Sequence, residues 1–95
     1  MRKYETLFVL KPDLEKEIVE ELIGKVKTII EADGTVENVN EWGKRKLAYE
    51  IEKKYSEGYY VVVEFSAENS VLDALDHLYK INEPFIRSIV IKKEK

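Results

Sequence analysis

Near the start of the chain, Tyr4, Thr6, Phe8 and Leu10 alternate with Lys3, Glu5, Leu7 and Val9. A period of two is what a strand produces by sending successive side chains to opposite faces. Lys11-Pro12-Asp13 breaks the run. From Leu14 the apolar residues Ile18, Leu22, Val26, Ile29 and Ile30 recur at helical spacing. They predict an amphipathic helix of about 20 residues and roughly 30 Å. Asp13 is the expected cap of its first turn, and Gly34, after Ala32-Asp33, its expected left-handed stop.

Thr35 to Ile51 reads as a long strand with an irregularity. Val36 and Val39 are three apart, so a bulge or twist intervenes before Leu47, Tyr49 and Ile51 resume the alternation, and Gly43 eases the bend. Lys53 to Gly58 is a charged turn, and Tyr59 to Phe65 has the near-continuous β-branched and aromatic content of a central strand. Ser66 to Ser70 offers several caps for a second helix. On that helix Val71, Leu72, Leu75, Leu78 and Tyr79 share a face, and Asn82 before Glu83-Pro84 closes it. Phe85 to Ile91 is the last strand.

Strand, helix, strand, strand, helix, strand is the split βαβ order of an α+β, ferredoxin-like fold: a four-stranded antiparallel sheet with two helices on one face. Residues 1–95 form one such domain, a length that supports a single modest core. With Tyr4, Thr6 and Phe8 toward the helices, alternation assigns Glu5, Leu7 and Val9 to the uncovered face. It also assigns Tyr60, Val62 and Glu64 of the third strand there, and Ile86, Ser88 and Val90 of the fourth. Leu7, Val9, Tyr60, Val62, Ile86 and Val90 then leave an apolar patch in water, and a patch of this kind marks a partner surface.

Composition narrows what that partner is. The chain is 44% apolar and 37% charged, and no run approaches the roughly 18 apolar residues of a membrane span. Met-Arg-Lys-Tyr leads straight into a strand pattern, which points away from an export signal. The absence of cysteine excludes disulfides and thiolate chemistry and fits a reducing cytoplasm. His77 is the sole histidine, on the outward side of the second helix. Glu15, Glu17, Glu20 and Glu21 decorate the outward face and early turns of the first helix, where they complement its dipole. The four glycines stand alone, so nothing cradles a phosphate, and no convergent titratable cluster supports catalysis. The expectation is no enzyme, no cofactor, no metal and no small-molecule substrate. Glu57-Gly58-Tyr59-Tyr60-Val61 imitates the aromatic strand of an RNA recognition motif only loosely, with Glu where a basic residue belongs.

Net charge is −3, and the segment from Asp13 to Asp33 alone sums to −4, with seven acids against three lysines. The rest is therefore slightly basic, and its cations are grouped. Arg2 and Lys3 open the first strand, Lys44, Arg45 and Lys46 lie on the second, and Arg87, Lys92, Lys93 and Lys95 mark the last. In this topology the groups flank the open face as two basic margins, which also discourage edge-to-edge aggregation.

The chain resembles, essentially from end to end, the family of the sixth protein of the bacterial small ribosomal subunit. The resemblance rests on Arg2-Lys3-Tyr4-Glu5 followed by Leu7 to Leu14, and on Trp42-Gly43-Lys44-Arg45-Lys46-Leu47-Ala48-Tyr49 with Ile51 two places later. Gly58-Tyr59-Tyr60 leading to Glu64-Phe65, then Ile81-Asn82-Glu83 and Ile86 to Lys92, complete it. Glu50 stands where many members carry proline. The resemblance implies a non-catalytic structural protein of the cytoplasmic ribosome. It would pair with protein eighteen of the same subunit and bind with it to the central domain of 16S ribosomal RNA.

Charge and alternation distribute the contacts. Arg2, Lys3, Arg45, Arg87, Lys92 and Lys93 are assigned to RNA. Leu7, Val9, Trp42, Lys44, Lys46, Tyr60, Val62, Ile86 and Val90 are assigned to the protein partner. Leu47 and Tyr49 should point inward, and Arg45 can reach either partner. The free chain should be a monomer. The competing reading is a ligand-sensing or homo-oligomerising ferredoxin-like module that uses the open sheet as its own interface.

Overall fold

A computed structural model describes the backbone of residues 2–51 and 55–93 and the side chains of residues 2–46 and 57–93. The elements are β1 (Arg2–Leu10), α1 (Lys16–Ala32), β2 (Gly34–Ile51), β3 (Tyr55–Ala67), α2 (Asn69–Ile81) and β4 (Phe85–Lys92). The sheet runs β2-β3-β1-β4 with every neighbouring pair antiparallel. This is the ferredoxin-like arrangement that the order of elements predicts.

The core lies between the helices and one sheet face. Tyr4, Phe8 and Leu10 of β1 and Val61, Val63 and Phe65 of β3 bury against Val19, Leu22, Ile23, Val26 and Ile30 of α1. Val71, Leu75, Leu78 and Tyr79 of α2 complete it. Side chains at steps of two on the strands meet side chains at steps of three and four on the helices, so each element satisfies its own period against the other. Phe8, Tyr79 and Phe85 form an aromatic cluster with centroids 5.0–5.8 Å apart, two of its three contacts edge-on. Thr6 is the polar member of this layer. Its hydroxyl is 2.8 Å from the Tyr79 hydroxyl and donates to the Ile89 carbonyl at 3.2 Å, so no donor is stranded in the apolar surroundings.

The helix ends depart from the expected capping. Glu15, not Asp13, holds the N-cap position of α1, and Glu68 holds that of α2, neither with a side-chain cap. The hydroxyl and amide groups around α2 serve tertiary contacts instead. Tyr4 donates to Asn69 Oδ1 at 3.1 Å, and Ser70 donates to Asp33 Oδ2 at 3.2 Å. At the other end Asn82 does close α2, donating from Nδ2 to the Leu78 carbonyl at 2.9 Å. Gly34 is not a left-handed stop: Asp33 ends α1, and Gly34 already pairs with Ala67 at the start of β2. Its lack of a side chain matters for another reason, since a Cβ there would collide with the Ser66 carbonyl and Ala67.

Bulges set the shape of β2. The register slips between Val36 and Asn38, as the Val36 to Val39 spacing predicts, and again between Glu41 and Gly43. Gly43 adopts φ +81°, the left-handed conformation that a residue with a Cβ adopts at a cost, so it is the bending point. The inward placement expected for Leu47 and Tyr49, and residues Lys53, Lys54 and Lys95, lie outside the described side chains and residues. The turn expected over Lys53 to Gly58 is corrected at its far end: Tyr55 to Gly58 already belong to β3, extending the ladder with β2 beyond the aromatic run.

Candidate functional site

Residues directly opposite in an antiparallel ladder share a face, so the register maps the uncovered side of the sheet row by row. One end carries Thr35, Ser66 and Lys3, with Lys93 just past the end of β4. The next row is Asn38, Glu64, Glu5 and Ile91; then come Asn40, Val62, Leu7 and Ile89. Gly43, Tyr60, Val9 and Arg87 follow, and Arg45 beside Gly58 closes the far end. Glu5, Leu7, Val9, Tyr60, Val62 and Glu64 thus lie on the open face as alternation assigned them.

The fourth strand does not follow the expected alternation. A register shift opposite Val9 and Leu10 leaves Ile86 as an extra residue between Phe85 and Arg87. Beyond it Ser88 stands opposite Phe8 and Val90 opposite Thr6, both on the helix-bearing side, while Arg87, Ile89 and Ile91 take the open face. The assignment of Ser88 and Val90 to the open face is therefore corrected, and Ile89 and Ile91 enter in their place. A one-residue slip is enough because side chains alternate with a period of two.

Val9 and Val62 also differ from expectation. They lie on the open face, yet only 2% and 3% of their surface is accessible, and neither belongs to the core under the helices. They form the floor of the face, flanked by Tyr60 and Arg87 in one row and by Leu7 and Asn40 in the next. Little of either side chain is left for a partner to touch directly. What protrudes is Trp42 at 48% exposure, Ile89 at 45% and Ile91 at 48%, with Leu7 and Tyr60 half-buried between them.

The aromatic end is ordered. Trp42 and Tyr60 stack with centroids 6.1 Å apart and planes 8° from parallel, joining the bulged edge strand to β3. The Arg45 guanidinium lies 5.9 Å from the indole centroid, and its Nε donates to the Trp42 carbonyl at 3.4 Å. Lys44 and Lys46 stand opposite Tyr59 and Glu57 and so face the helix-bearing side, away from Arg45. On that side Tyr59 donates to Glu41 Oε1 at 2.8 Å; the bond, followed by partial burial and the nearby carboxylate charge, raises the phenol above its ordinary value.

The predicted cations do not all border the open face. Lys3, Arg45, Arg87 and Lys93 belong to the open face, Arg2 and Lys92 to the helix-bearing side. Arg87 and Lys92 both lie on β4 but are five residues apart, roughly 17 Å at about 3.4 Å per residue. Lys93 is committed within the chain, its Nζ 3.5 Å from Glu64 Oε2 and 3.8 Å from Glu5 Oε1. The open face is thus polarised, with paired charges at the Lys3 end and aromatic and cationic groups at the Arg45 end. His77 is exposed on α2, remote from the sheet face.

A family model described as ribosomal protein S6 matches residues 3–92, nearly the whole chain. The chain belongs to the ribosomal protein S6 family. The small ribosomal subunit protein bS6 of Alkaliphilus oremlandii (strain OhILAs) is 50% identical over 95 residues, covering 100% of both chains. That of Clostridium perfringens (strain SM101 / Type A) is 50% identical over 96 residues, again covering 100% of each. Among solved structures, the 30S ribosomal protein S6 of Thermotoga maritima matches with a TM-score of 0.90 at 36% identity, over 97% of this chain and 87% of that one. As an S6-family member the chain is a structural, non-enzymatic protein of the small ribosomal subunit. Among the described residues no helix is long and apolar enough to cross a membrane.

Proposed function

We propose that this S6-family chain binds the central domain of 16S ribosomal RNA jointly with small-subunit ribosomal protein eighteen, as a monomer that joins its partners within the cytoplasmic ribosome. The observation that carries the reading is the uncovered sheet face, where Trp42, Ile89 and Ile91 protrude over a floor of Val9 and Val62. Exposed apolar groups in one plane favour a protein partner, and the cations bordering them favour a polyanion. Leu7, Trp42, Tyr60, Ile89 and Ile91 contact the protein; Arg2, Lys3, Arg87 and Lys92 meet backbone phosphates that position the domain, and Arg45 stands where either partner is in reach.

Charge explains why two proteins are needed. Net charge is −3, and each phosphate neutralised requires a cation, so the chain alone binds RNA weakly and with a shallow salt dependence. A more basic partner adds contacts within one assembly and converts the second binding event into an intramolecular one. The test is a titration of a central-domain 16S fragment with the chain alone, with protein eighteen alone and with both, at two salt concentrations. Cooperative binding by the pair, with little by this chain alone, is expected. Equal affinity with and without the partner, or size-exclusion showing a stable homodimer indifferent to RNA, would overturn the reading, the latter in favour of an oligomerising module.

A further inference from the structure

Of the three adjacent cations of β2, only Arg45 reaches the open face, and the residue opposite it is Gly58. With no cross-strand side chain to meet, the guanidinium turns back along its own strand to Trp42, held by the Nε bond at 3.4 Å and the indole at 5.9 Å. Trp42 is in turn fixed by its stack on Tyr60 of β3, an inner strand of the sheet. Three planar groups are thereby tied to the rigid part of the fold, and the arginine is ordered before any ligand arrives. Its Nε is occupied, which leaves the N–H groups of the two terminal Nη atoms as a fork for two oxygens of one anion.

A carboxylate or a phosphate fits such a fork, and the surroundings decide between them. Arg87 lies at the same end of the face, opposite Val9, and Lys11 follows directly after β1 there. Lys44 and Lys46 lie on the reverse side of the strand, where Glu57 opposite Lys46 and Glu41 balance them, so the open face itself decides. The acids of the open face, Glu5 and Glu64, are at the opposite end with Lys93. Arg45 on β2 and Arg87 on β4 stand three strand spacings apart, roughly 14 Å at about 4.8 Å each, and cations spread across one end of a face suit a chain of phosphates better than one acidic side chain.

We infer that Arg45, held ready by Trp42 and Tyr60, is an anchor for a backbone phosphate of the ribosomal RNA and not a contact to the protein partner. This rests on the joint RNA-binding function proposed above. The test uses the full chain with protein eighteen and the central-domain fragment, comparing the wild type with Arg45→Ala and Arg45→Lys over a series of salt concentrations. Affinity of the two proteins for each other without RNA is measured in parallel.

Arg45→Ala should weaken RNA binding by the pair about tenfold, the loss of one charge-assisted contact. It should also flatten the slope of log K against log salt by about 0.7–0.9. Arg45→Lys should restore the slope but only part of the affinity, because an ammonium keeps the charge and lacks the fork. Affinity between the two proteins should fall much less than affinity for RNA, since Arg45 touches that contact only through Trp42. An Arg45→Ala variant that weakens the protein pair as much as it weakens RNA binding, or that leaves the salt slope intact, overturns the inference and points to an acidic protein contact. If the wild-type pair itself fails to bind the fragment, the functional reading falls and this inference with it, an outcome recognisable before any variant is made.

Discussion

Replacing Thr6 with valine keeps the shape of the side chain and deletes one buried hydroxyl. That hydroxyl lies between the Tyr79 hydroxyl at 2.8 Å and the Ile89 carbonyl at 3.2 Å, in a chain running from α2 through β1 to β4. Thr6 donates to the carbonyl, so Tyr79 donates to Thr6. In Thr6→Val the Tyr79 hydroxyl, nearly enclosed, keeps its desolvation cost and loses its acceptor, worth about 1–3 kcal/mol. The bond to Ile89 adds about 1 kcal/mol, less where water reaches the edge strand. The variant should therefore lose roughly 2–4 kcal/mol, which for a chain of this size lowers Tm by about 8–30 °C. Tyr79→Phe should cost about 1 kcal/mol, since Thr6 still donates to Ile89. Combining the two strands no donor, so the double variant should cost at least about 1 kcal/mol less than the sum of the singles. Urea unfolding of all four proteins, with equal m-values as the check on two-state behaviour, measures the cycle. A Thr6→Val cost below about 0.5 kcal/mol, or additivity within about 0.5 kcal/mol, refutes the reasoning.

Two tyrosines make stability sensitive to alkali. Burial pushes the Tyr79 phenol well above its ordinary value of 10.0, the Thr6 hydrogen bond offsetting part of the rise, and the Glu41 bond raises Tyr59. Both folded values exceed the unfolded one, so their contribution is complete below pH 10 and is lost as pH climbs through the folded values; ultraviolet titration should show Tyr79 ionising only together with unfolding, and Tyr59→Phe should remove the earlier part of the loss. Gly34→Ala should destabilise by about 1–3 kcal/mol through the collision with Ser66 and Ala67, while Gly24→Ala, in the middle of α1 with open space where its Cβ would go, should stabilise by about 0.5–1 kcal/mol; urea midpoints decide both. Trp42 is the single tryptophan and half-exposed, so docking of protein eighteen should shift its emission to the blue and protect it from iodide, and an unchanged spectrum removes Trp42 from the contact surface.

The element order was legible because each segment repeats its own period strongly, from the alternation of Tyr4 to Leu10 to the helical steps of Ile18 to Ile30. The bulge near Glu37 was legible too, since Val36 and Val39 both keep a side chain toward the core only if one residue is extra. The face of β4 was not. Ile86 and Val90 share one parity and Ile89 and Ile91 the other, so apolar content cannot orient the strand. The register shift opposite Leu10 then reversed the assignment. Capping also escaped prediction, because Asn69 and Ser70 are drawn to Tyr4 and Asp33, groups remote in sequence.

Local order therefore followed from the one-dimensional pattern of apolar, polar and turn residues, which selects helix or strand by its period and needs no knowledge of neighbours. The Trp42, Tyr60 and Arg45 array, the burial of Val9 and Val62 on an uncovered face, and the division of the cations between two sides each depend on which residues pair across strands. Pairing is a long-range property, and with side chains alternating every residue a single inserted position exchanges one face for the other.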